Sequence, residues 1–470
     1  MTDSASIIGA GPNGLAAAIV LAQAGLKVDV YEAEPLPGGA ARTMPLTLPG
    51  FLHDFGSSVH PLAMGSPFFS TLPLEQYGLK WIQPPAAVAH PLENGTAATI
   101  RRDFEFTTRF LFEDGRAWRS IFEPFATQWS ALAEDILGPM LHRPRNLGLF
   151  TSFGVKGMQR ATSFANSRFH NPRTRALFAG IAAHSGLDIS SYFSAAPALV
   201  LAAAAHAVGW PIPRGGAQSI TNALIAYLGT LGGEVHTSRR IASLADLPDT
   251  LTLCDVAPSQ LVQIAGDRLS SAYKKTISTF RHGPGAFKID YALSRPIPWF
   301  AADCMTAATV HLGGTIEEIA QSEAAVAQGR LSDKPFLLVT QPSLFDNSRA
   351  PEGKHTAWVY CHVPNGSDFD MTERIENQIE RFAPNFRKTI LARCISTPSD
   401  LQAFDANLVG GDINGGTMNF RQLLNRPGPD LYETSNPNIY LCSASTPPGG
   451  GVHGMCGFRA ASLALSRLKR

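Results

Sequence analysis

A strand–turn–helix pattern at the start of the sequence constrains the fold more than any other feature. The apolar run Ser6–Ile8 leads into a turn that holds Gly9, Gly11 and Gly14. An alanine- and leucine-rich helix is predicted over Leu15–Ala24, and a second strand follows it. Strand, glycine turn, helix and strand in this order predict a βαβ unit with a parallel sheet.

Each glycine of the turn has a physical task. Gly9 permits the tight turn, Gly11 lets the backbone approach a pyrophosphate, and Gly14 lets helix and strand pack closely. The helix that follows presents free N–H groups to phosphates at its N-terminus. Glu32 ends the predicted strand Lys27–Tyr31, where an acid accepts hydrogen bonds from ribose hydroxyls. The unit therefore predicts a dinucleotide site, but it does not separate NAD from FAD.

Charge and composition exclude several classes of protein. Only 16% of the 470 residues are charged and 44% are hydrophobic, which excludes a disordered chain and a coiled coil. The net charge of +1 gives the chain no electrostatic attraction to nucleic acid or to an anionic membrane. So few charges are typical of a large buried interior, or of an apolar pocket or outer surface.

The cysteines and the apolar segments bear on location. Six scattered cysteines without a CxxC pair argue against a metal site or a disulfide framework, and no metal is expected. The glycine-rich run Ser6–Gly14 follows no basic region, so no signal peptide is expected and the predicted location is cytoplasmic. Ala195–Val208 is too short to span a membrane, and a core helix is favoured over a peripheral membrane helix. Membrane association and homo-oligomerisation are left open.

Hydrophobic periodicity and glycine–proline punctuation predict further elements along the chain. Helices are predicted over Phe122–Leu137, Arg173–Ala183, Thr372–Phe382 and Arg459–Leu468, and strands over Val235–Ile241, Thr250–Val256, Ala286–Leu293, Phe336–Gln341 and Thr356–His362.

This order predicts an α/β fold with two domains. A discontinuous Rossmann-like nucleotide-binding domain is predicted from residues 1–67, 209–280 and 421–470. An α+β substrate domain is inserted in two segments, residues 68–208 and 281–420.

Four further motifs extend the nucleotide signature. Gly38-Gly39-Ala40-Ala41-Arg42 follows the second strand, and Asp54-Phe55-Gly56-Ser57-Ser58-Val59 comes shortly after it. Gly215-Gly216 precedes a helix and a strand toward Ile241, and a glycine run lies within Cys442–Gly454. With the βαβ unit, these motifs resemble the FAD-dependent amine oxidase and phytoene desaturase superfamily, and most closely its phytoene dehydrogenase-like branch.

The resemblance implies FAD as the cofactor of the Rossmann-like domain, and it implies which residues contact FAD. These are Gly9, Gly11, Pro12, Gly14, Glu32, Ala33, Gly39, Arg42, Gly56, Ser57, Ser58, Val59, Ile241, Ser445, Gly450, Gly451 and Val452. Two departures from the family pattern stand out. Ala444-Ser445 replaces the usual Gly-Asp before the glycine run, and the usual β-meander is trimmed to Ala242–Thr250.

Histidines are the candidates for proton handling, because their pKa lies near neutrality. His453 follows the glycine run and His60 follows the other flavin-facing motif; each could instead be a structural histidine. Aromatic residues of the inserted domain are expected either to line an apolar tunnel or, for most of them, to form its core. They are Phe68, Phe69, Trp129, Phe150, Phe153, Phe164, Trp210, Trp299 and Phe300.

The resemblance implies an FAD-dependent oxidoreductase that transfers hydride between a small apolar, isoprenoid- or polyene-like substrate and flavin N5. The alternatives are an FAD-dependent double-bond isomerase or saturase, an amine oxidase, and a flavoprotein module without catalysis. The low charge predicts an apolar cavity in the inserted domain, over the flavin.

Overall fold

The computed structural model describes residues 4–248 and 250–468. The first and last residues of the predicted nucleotide domain, 1–3 and 469–470, lie outside the described residues, as does residue 249.

The strands are numbered in chain order. They are β1 Ser4–Ile8, β2 Lys27–Tyr31, β3 Thr43–Met44, β4 His53–Asp54, β5 Trp81–Ile82, β6 Ala86–Pro91, β7 Ala97–Ile100, β8 Ile212–Pro213, β9 Glu234–His236, β10 Leu251–Cys254, β11 Gly285–Leu293, β12 Ala307–Leu312, β13 Leu337–Thr340, β14 His355–Val363, β15 Ile390–Ser396 and β16 Ile439–Leu441.

The α-helices are numbered in the same way. They are α1 Pro12–Gln23, α2 Pro61–Met64, α3 Phe104–Phe110, α4 Gly115–Thr127, α5 Trp129–Ile136, α6 Leu147–Gly157, α7 Ala161–Arg168, α8 Pro172–Ala183, α9 Ala195–Ala207, α10 Gln218–Thr230, α11 Pro258–Ala265, α12 Ser271–Ile277, α13 Ile316–Ala327, α14 Thr372–Phe382, α15 Pro398–Phe404, α16 Phe420–Leu424 and α17 Met455–Leu468.

A five-stranded parallel sheet holds the first strand at its centre, in the order β16-β10-β1-β2-β9. In β1, Ile7 pairs in register with Leu253 on one side and Val30 on the other, and all three side chains are buried. Buried on both faces, such strands consist of nearly continuous apolar runs. Helix α1 packs against α17 so closely that a Cβ on Gly457 would lie 1.8 Å from the carbonyl oxygen of Asn13.

A seven-stranded mixed sheet forms the second layer, in the order β15-β11-β14-β13-β12-β6-β7. Its pairs are antiparallel except for β12 and β6, which run parallel. Strand β11, which pairs with β15 on one side and β14 on the other, is buried along all nine residues. The two sheets confirm the predicted α/β class, a Rossmann-like domain with an inserted α+β domain.

Helices α3 to α9 pack beside the seven-stranded sheet. Helix α9, an apolar segment of the sequence, buries Leu199 and Ala202 through Ala205 in the main hydrophobic cluster, and His206 is buried as well. The prediction of a core helix over this segment is therefore confirmed. Among the described residues, no helix combines the length and apolarity needed to cross a membrane.

Three predicted elements differ from the observed ones. The strand predicted over Val235–Ile241 ends at His236, because Ser238 adopts a positive φ of 54° and turns the chain back onto the end of β2. The helix predicted over Phe122–Leu137 is two helices, α4 and α5, with a break at Gln128. The final helix begins at residue 455, four residues before the prediction.

The strands of each sheet fall inside the segments predicted for the two domains. The parallel sheet draws on residues 4–31, 234–254 and 439–441, and the mixed sheet on residues 86–100 and 285–396. The domain boundaries themselves stay a proposal.

Candidate cofactor and active site

A cavity of about 1020 Å³ lies at the carboxyl ends of the parallel strands. Ile8 at the end of β1, Tyr31 at the end of β2 and Asp255 after β10 line it, as does Ser443 after β16. From there the cavity reaches the seven-stranded sheet. Its volume is at the upper end of the range for ligand sites, and ligands of open parallel sheets bind at this edge.

The glycine turn is shaped by backbone contacts. Gly9 has a φ of +97°, and a Cβ on Gly14 would lie 2.0 Å from the carbonyl oxygen of Gly9. Gly14 does not line the cavity, so its contribution is the close packing of helix on strand. Gly11 and Pro12 do line the cavity, where helix α1 begins and its first N–H groups point outward.

Asp255 is a buried acid beside this helix start. Its Oδ2 accepts a hydrogen bond of 2.8 Å from the Gly14 N–H. Burial raises the pKa of Asp255 to about 8, even though this hydrogen bond acts in the opposite direction. The carboxyl group is therefore largely uncharged at neutral pH and does not repel a phosphate placed at the helix start.

Glu32 is fixed at the end of β2 by two backbone donors. Its Oε2 accepts from the Ala10 N–H at 2.8 Å, and its Oε1 accepts from the Glu34 N–H at 2.9 Å. Each carboxylate oxygen keeps a further lone pair for a ribose hydroxyl. Ala33 and Ile241 line the cavity beside it.

The second glycine motif abuts the first. Gly39 has a φ of +54°, and a Cβ built on it would lie 3.4 Å from the Cα of Gly11. Arg42 donates from Nε to the Gly39 carbonyl at 2.7 Å and from Nη2 to the Phe404 carbonyl at 2.8 Å, and its guanidinium lies 3.6 Å from the Phe404 ring centroid. Arg42 thus lines the cavity and also ties this loop to helix α15.

Several buried polar atoms of described residues in the cavity wall lack a hydrogen-bond partner, among them Asn13 Oδ1, Ser57 Oγ, Trp358 Nε1 and His453 Nε2. Buried polar groups are normally paired, so these atoms point to a polar ligand. With the helix start and Glu32, the wall offers sites for a pyrophosphate, a ribose and a ring system. These residues fit FAD.

The C-terminal glycine run forms another part of the wall. A Cβ on Gly450 would meet the Asn414 backbone at 2.8 Å, so the chain leaves no room for a side chain there. The fully buried Arg426 holds the facing loop by donating to the carbonyls of Gly415 at 2.7 Å and Ala444 at 2.9 Å. Nothing in the sequence motifs pointed to Arg426.

The two candidate histidines differ in position. His453 lines the cavity, whereas His60 is buried outside the cavity wall, with its ring 6.2 Å from that of Trp81. Burial lowers the pKa of His453 to about 4, against the influence of nearby backbone carbonyls. Its Nδ1 accepts from the Met455 N–H at 3.0 Å, which leaves the proton of the neutral ring on Nε2.

The structure brings sixteen of the seventeen predicted FAD contacts to one cavity, all except Gly14. They come from widely separated parts of the chain: Gly9, Gly11, Pro12, Glu32, Ala33, Gly39, Arg42, Gly56, Ser57, Ser58, Val59, Ile241, Ser445, Gly450, Gly451 and Val452.

Toward the seven-stranded sheet the wall becomes largely hydrocarbon and aromatic. Its side chains include Leu62, Phe150, Phe153, Val200, Leu338, Trp358, Tyr360 and Met418. Of the aromatic residues singled out in the sequence, Phe150 and Phe153 line the cavity. Phe300 is exposed, and the rest are buried without lining the cavity.

Lys288 is a charged residue in this wall that sequence reasoning missed. It projects from the buried strand β11, and its Nζ donates to Asp290 Oδ2. Burial raises the pKa of Asp290 to about 6, although the Lys288 cation opposes the rise. A lone Lys–x–Asp pair inside an otherwise apolar strand was the available signal, because such residues are rarely buried without a partner.

A group of buried histidines reaches the cavity at His184. The Nε2 atoms of His184 and His311 are 2.7 Å apart, and the His90 ring lies 6.3 Å from that of His311. Burial lowers the pKa of His184 to about 3 and that of His90 to about 4, so these rings are neutral at pH 7. The three histidines are far apart in sequence, and no local pattern connects them.

One group of potential metal ligands occurs among the described residues, away from the cavity. Asp29, Glu234 and His236 lie at the edge of the parallel sheet, with His236 Nε2 2.8 Å from Asp29 Oδ1. The group is partly exposed and no second observation points to a ligand.

Comparison with known proteins agrees with the geometry. The family model described as flavin containing amine oxidoreductase matches residues 13–272. Pyridine nucleotide-disulfide oxidoreductase domain-containing protein 2 of Mus musculus is 26% identical, covering 99% of this chain and 94% of its own length. The phytoene dehydrogenase of Streptomyces griseus is 25% identical, over 77% of this chain and 73% of its own length.

Among solved structures, an oxidoreductase from Methanosarcina mazei superimposes with a TM-score of 0.66 at 16% identity. The match covers 99% of this chain and 100% of that one, and it supports the fold.

Proposed function

The chain belongs to the flavin-containing amine oxidoreductase family and is an FAD-dependent oxidoreductase, and we propose that its substrate is an apolar, isoprenoid- or polyene-like molecule. In this proposal hydride passes between a carbon of the substrate and flavin N5. Bound FAD supplies the redox chemistry, while the protein supplies orientation, electrostatics and a shaped pocket.

The observation that carries the proposal is the apolar wall opposite the loops that we predict to contact FAD. Phe150 and Phe153 of α6 and Val200 of α9 form one side, and Leu338 of β13 lies on the seven-stranded sheet opposite. A wall of this composition holds a hydrocarbon by removing its surface from water. The distant likeness to a phytoene dehydrogenase supports the same substrate class.

For proton handling we propose His453 rather than His60, because only His453 lines the cavity. Its neutral ring carries a proton on Nε2, which is buried without a hydrogen-bond partner, so it acts first as a hydrogen-bond donor. Lys288, Asp290 and His184 are the further polar groups in or next to the wall that can accept or release a proton.

Amine oxidation is the second candidate, and one observation bears on it. Trp358 and Tyr360 line the cavity with ring centroids 5.0 Å apart and planes at 73°, an aromatic pair that could receive an amine. However, Lys288 Nζ already lies 6.0 Å from the Trp358 ring centroid. Its charge opposes a second cation at this position.

The test is anaerobic mixing of the FAD-loaded enzyme with two substrate panels, acyclic polyenes in detergent micelles and primary or secondary amines. Bleaching of the flavin absorption band by a polyene, with a product carrying one more double bond, is the expected result. Bleaching by amines alone, with peroxide formed on admission of air, would replace the proposal by amine oxidation.

A rearranged polyene without net flavin reduction would establish isomerisation instead, and reduced flavin that saturates a double bond would establish a saturase. With the active panel, His453→Gln is expected to lower the rate of flavin reduction far more than His60→Gln. Both variants have to retain FAD, which the visible absorption of the purified protein reports.

A further inference from the structure

Six large apolar side chains form an exposed surface around helix α6, called here the apolar patch. Each is between 43% and 78% exposed. The members are Leu141, Leu147, Val155, Met158, Tyr192 and Phe420.

Contacts between the segments connect the end of α6 to Tyr192 and Phe420. The Phe193 N–H donates to the Met158 carbonyl at 3.0 Å, and the Phe193 ring stacks on that of Phe420 at 4.2 Å. The Arg160 guanidinium lies 4.6 Å from the ring centroid of Tyr192, the residue before Phe193. Exposed apolar surface on this scale marks an interaction site in a soluble protein.

Helix α6 has one face on the patch and the other on the cavity. Leu147 and Val155 are two i,i+4 steps apart and exposed, whereas Phe150 and Phe153 line the cavity. A single helix therefore separates the apolar patch from the apolar end of the cavity.

Charge in this part of the chain is strongly one-sided. Residues 137–187 contain seven arginines and lysines and no aspartate or glutamate, although the whole chain carries only +1. Arg143 and Arg160 are exposed beside the patch, and Lys156 lies within α6. Arg145 is paired with Glu134, so it adds less to the local field.

We propose that the apolar patch and its basic rim dock the protein on an anionic lipid bilayer, in the plane of the headgroups. Exposed apolar side chains enter the boundary of the acyl region, and lysine and arginine are attracted to anionic headgroups. The occupant is a lipid surface rather than a protein groove because exposed cations lie next to the patch members, Arg143 near Leu141 in sequence, Arg160 on the Tyr192 ring and Arg421 beside Phe420. The inference concerns this surface and does not depend on the reaction.

The experiment is flotation of the FAD-loaded full chain with vesicles of phosphatidylcholine, with and without phosphatidylglycerol. The expected result is flotation with the anionic vesicles, weaker flotation with phosphatidylcholine alone, and release by salt. Leu147→Ser/Val155→Ser is expected to weaken the partition at least about tenfold, since both substitutions remove apolar surface that the bilayer would bury. Arg143→Glu/Arg160→Glu is expected to abolish the preference for anionic vesicles.

Two matched controls separate this surface from general stickiness and charge. Leu391→Ser/Ile395→Ser changes exposed apolar residues of β15 in the same way, and Lys334→Glu/Lys354→Glu makes the same change of net charge elsewhere. Both controls are expected to float like the parent protein, and flavin absorption confirms that every variant is folded.

Failure of the parent protein to float with anionic vesicles would overturn the proposal. Patch variants that float like the parent protein would also overturn it. If those variants convert a dimer to a monomer without affecting flotation, the patch is instead an interface between two copies of the chain. Neither outcome bears on the proposed reaction, because that reaction is assayed separately with substrate in detergent micelles.

Discussion

Gly14 lies in the first turn of α1 at a point where a methyl group has no room. An added Cβ would be 2.0 Å from the Gly9 carbonyl oxygen, which belongs to the rigid turn. We expect Gly14→Ala to displace the helix start, abolish copurification of FAD and lower the melting temperature. Visible absorption and thermal unfolding measure the two effects.

Gly229→Ala is the matched control for this change. Gly229 is also helical, in α10, but nothing lies within 4 Å of an added Cβ. Alanine there is expected to stabilise the protein by up to about 1 kcal/mol and to leave FAD bound. Equal loss of FAD in both variants would contradict the role given to Gly14.

Glu32→Gln tests the ribose end of the site. A glutamine offers only one acceptor oxygen to the two backbone donors, Ala10 N–H and Glu34 N–H, so one of them faces an amide N–H. Since hydrogen bonds to charged groups contribute about 1.5–3 kcal/mol, FAD should bind about tenfold to a hundredfold more weakly. Fluorescence titration of the apoprotein with FAD gives the affinity.

Glu34→Gln is the comparison, because the Glu34 side chain makes a partly exposed ion pair with Arg240 at 3.4 Å. Loss of such a pair changes affinity by about fivefold at most. A Glu32→Gln protein with the affinity of Glu34→Gln would show that the carboxylate does not hold the ribose.

Individual site residues were predictable where a local pattern carries the physics. The glycine turn and Glu32 follow from the steric needs of a βαβ unit, and sequence spacing reports them. Asp255 and Lys288 escaped prediction because their importance arises from burial next to segments far away in sequence. Asn13 was not predicted either, because its significance depends on a buried Oδ1 without a hydrogen-bond partner, which only the structure shows.

At the level of elements, a buried ion pair connects strand β4 to the segment between β13 and β14. Arg349 Nη2 lies 2.9 Å from Asp54 Oδ2, and neither side chain is exposed. Burial alone would raise the pKa of Asp54, but Arg349 and hydrogen bonds from Ala217, Ser58 and Thr43 hold it below its ordinary value.

We expect Arg349→Met to cost about 3–5 kcal/mol of unfolding free energy, because it leaves Asp54 charged and buried without its partner. The Arg349→Met/Asp54→Asn pair should lose less than the sum of the single changes. Denaturant unfolding measures both. Arg467→Met, which breaks the exposed pair with Glu433, should cost less than about 1 kcal/mol, and a similar value for Arg349→Met would refute the argument.

Elements with strong periodicity were predicted well, and their ends were not. Helix α14 runs over Thr372–Phe382 as its amphipathic pattern indicates. The strand predicted as far as Ile241 ends at His236, because Ser238 has a positive φ and reverses the chain. Serine rarely adopts a positive φ, so the sequence does not predict this turn. The pairing of strands across the chain, such as β1 with β10, is a tertiary choice that local patterns do not contain.

At the scale of the whole molecule, the many buried histidines make stability depend on pH. Burial lowers the pKa of His53 and His184 to about 3, and that of His60, His90 and His206 to about 4. Between these values and the ordinary 6.5, the unfolded chain binds more protons than the folded one, so stability falls as the pH is lowered through this range.

Each such histidine contributes a loss of up to about 1.4 kcal/mol per pH unit in that window. We therefore expect the denaturant midpoint to fall steeply between about pH 6.5 and 4. His206 Nε2 accepts a hydrogen bond from Trp118 Nε1 at 2.9 Å. We expect His206→Gln to reduce the pH dependence of the unfolding free energy by the equivalent of about one proton. His170→Gln changes an exposed histidine and should leave this pH dependence unchanged. An unchanged midpoint from pH 7 to pH 5 would contradict this prediction.

The net charge of the whole chain does not report how charge is distributed along the sequence. The net charge of +1 argued against electrostatic attraction to a membrane. However, all seven charged residues within 137–187 are basic, and the acids that balance them lie elsewhere in the chain. The low charge also predicted an apolar cavity in the inserted domain. The structure has a cavity whose wall between α6, α9 and the seven-stranded sheet is largely apolar.

The strand order of the parallel sheet also determines how much of the chain must be synthesised before the sheet can form. Strand β1 is synthesised more than two hundred residues before its neighbour β10, and more than four hundred residues before β16. Helix α17, which packs against α1, follows β16. The glycine turn after β1 therefore acquires its neighbours in the sheet, and the helix that packs on α1, only after several hundred further residues have been synthesised, so the site is completed late by contacts that are distant in sequence.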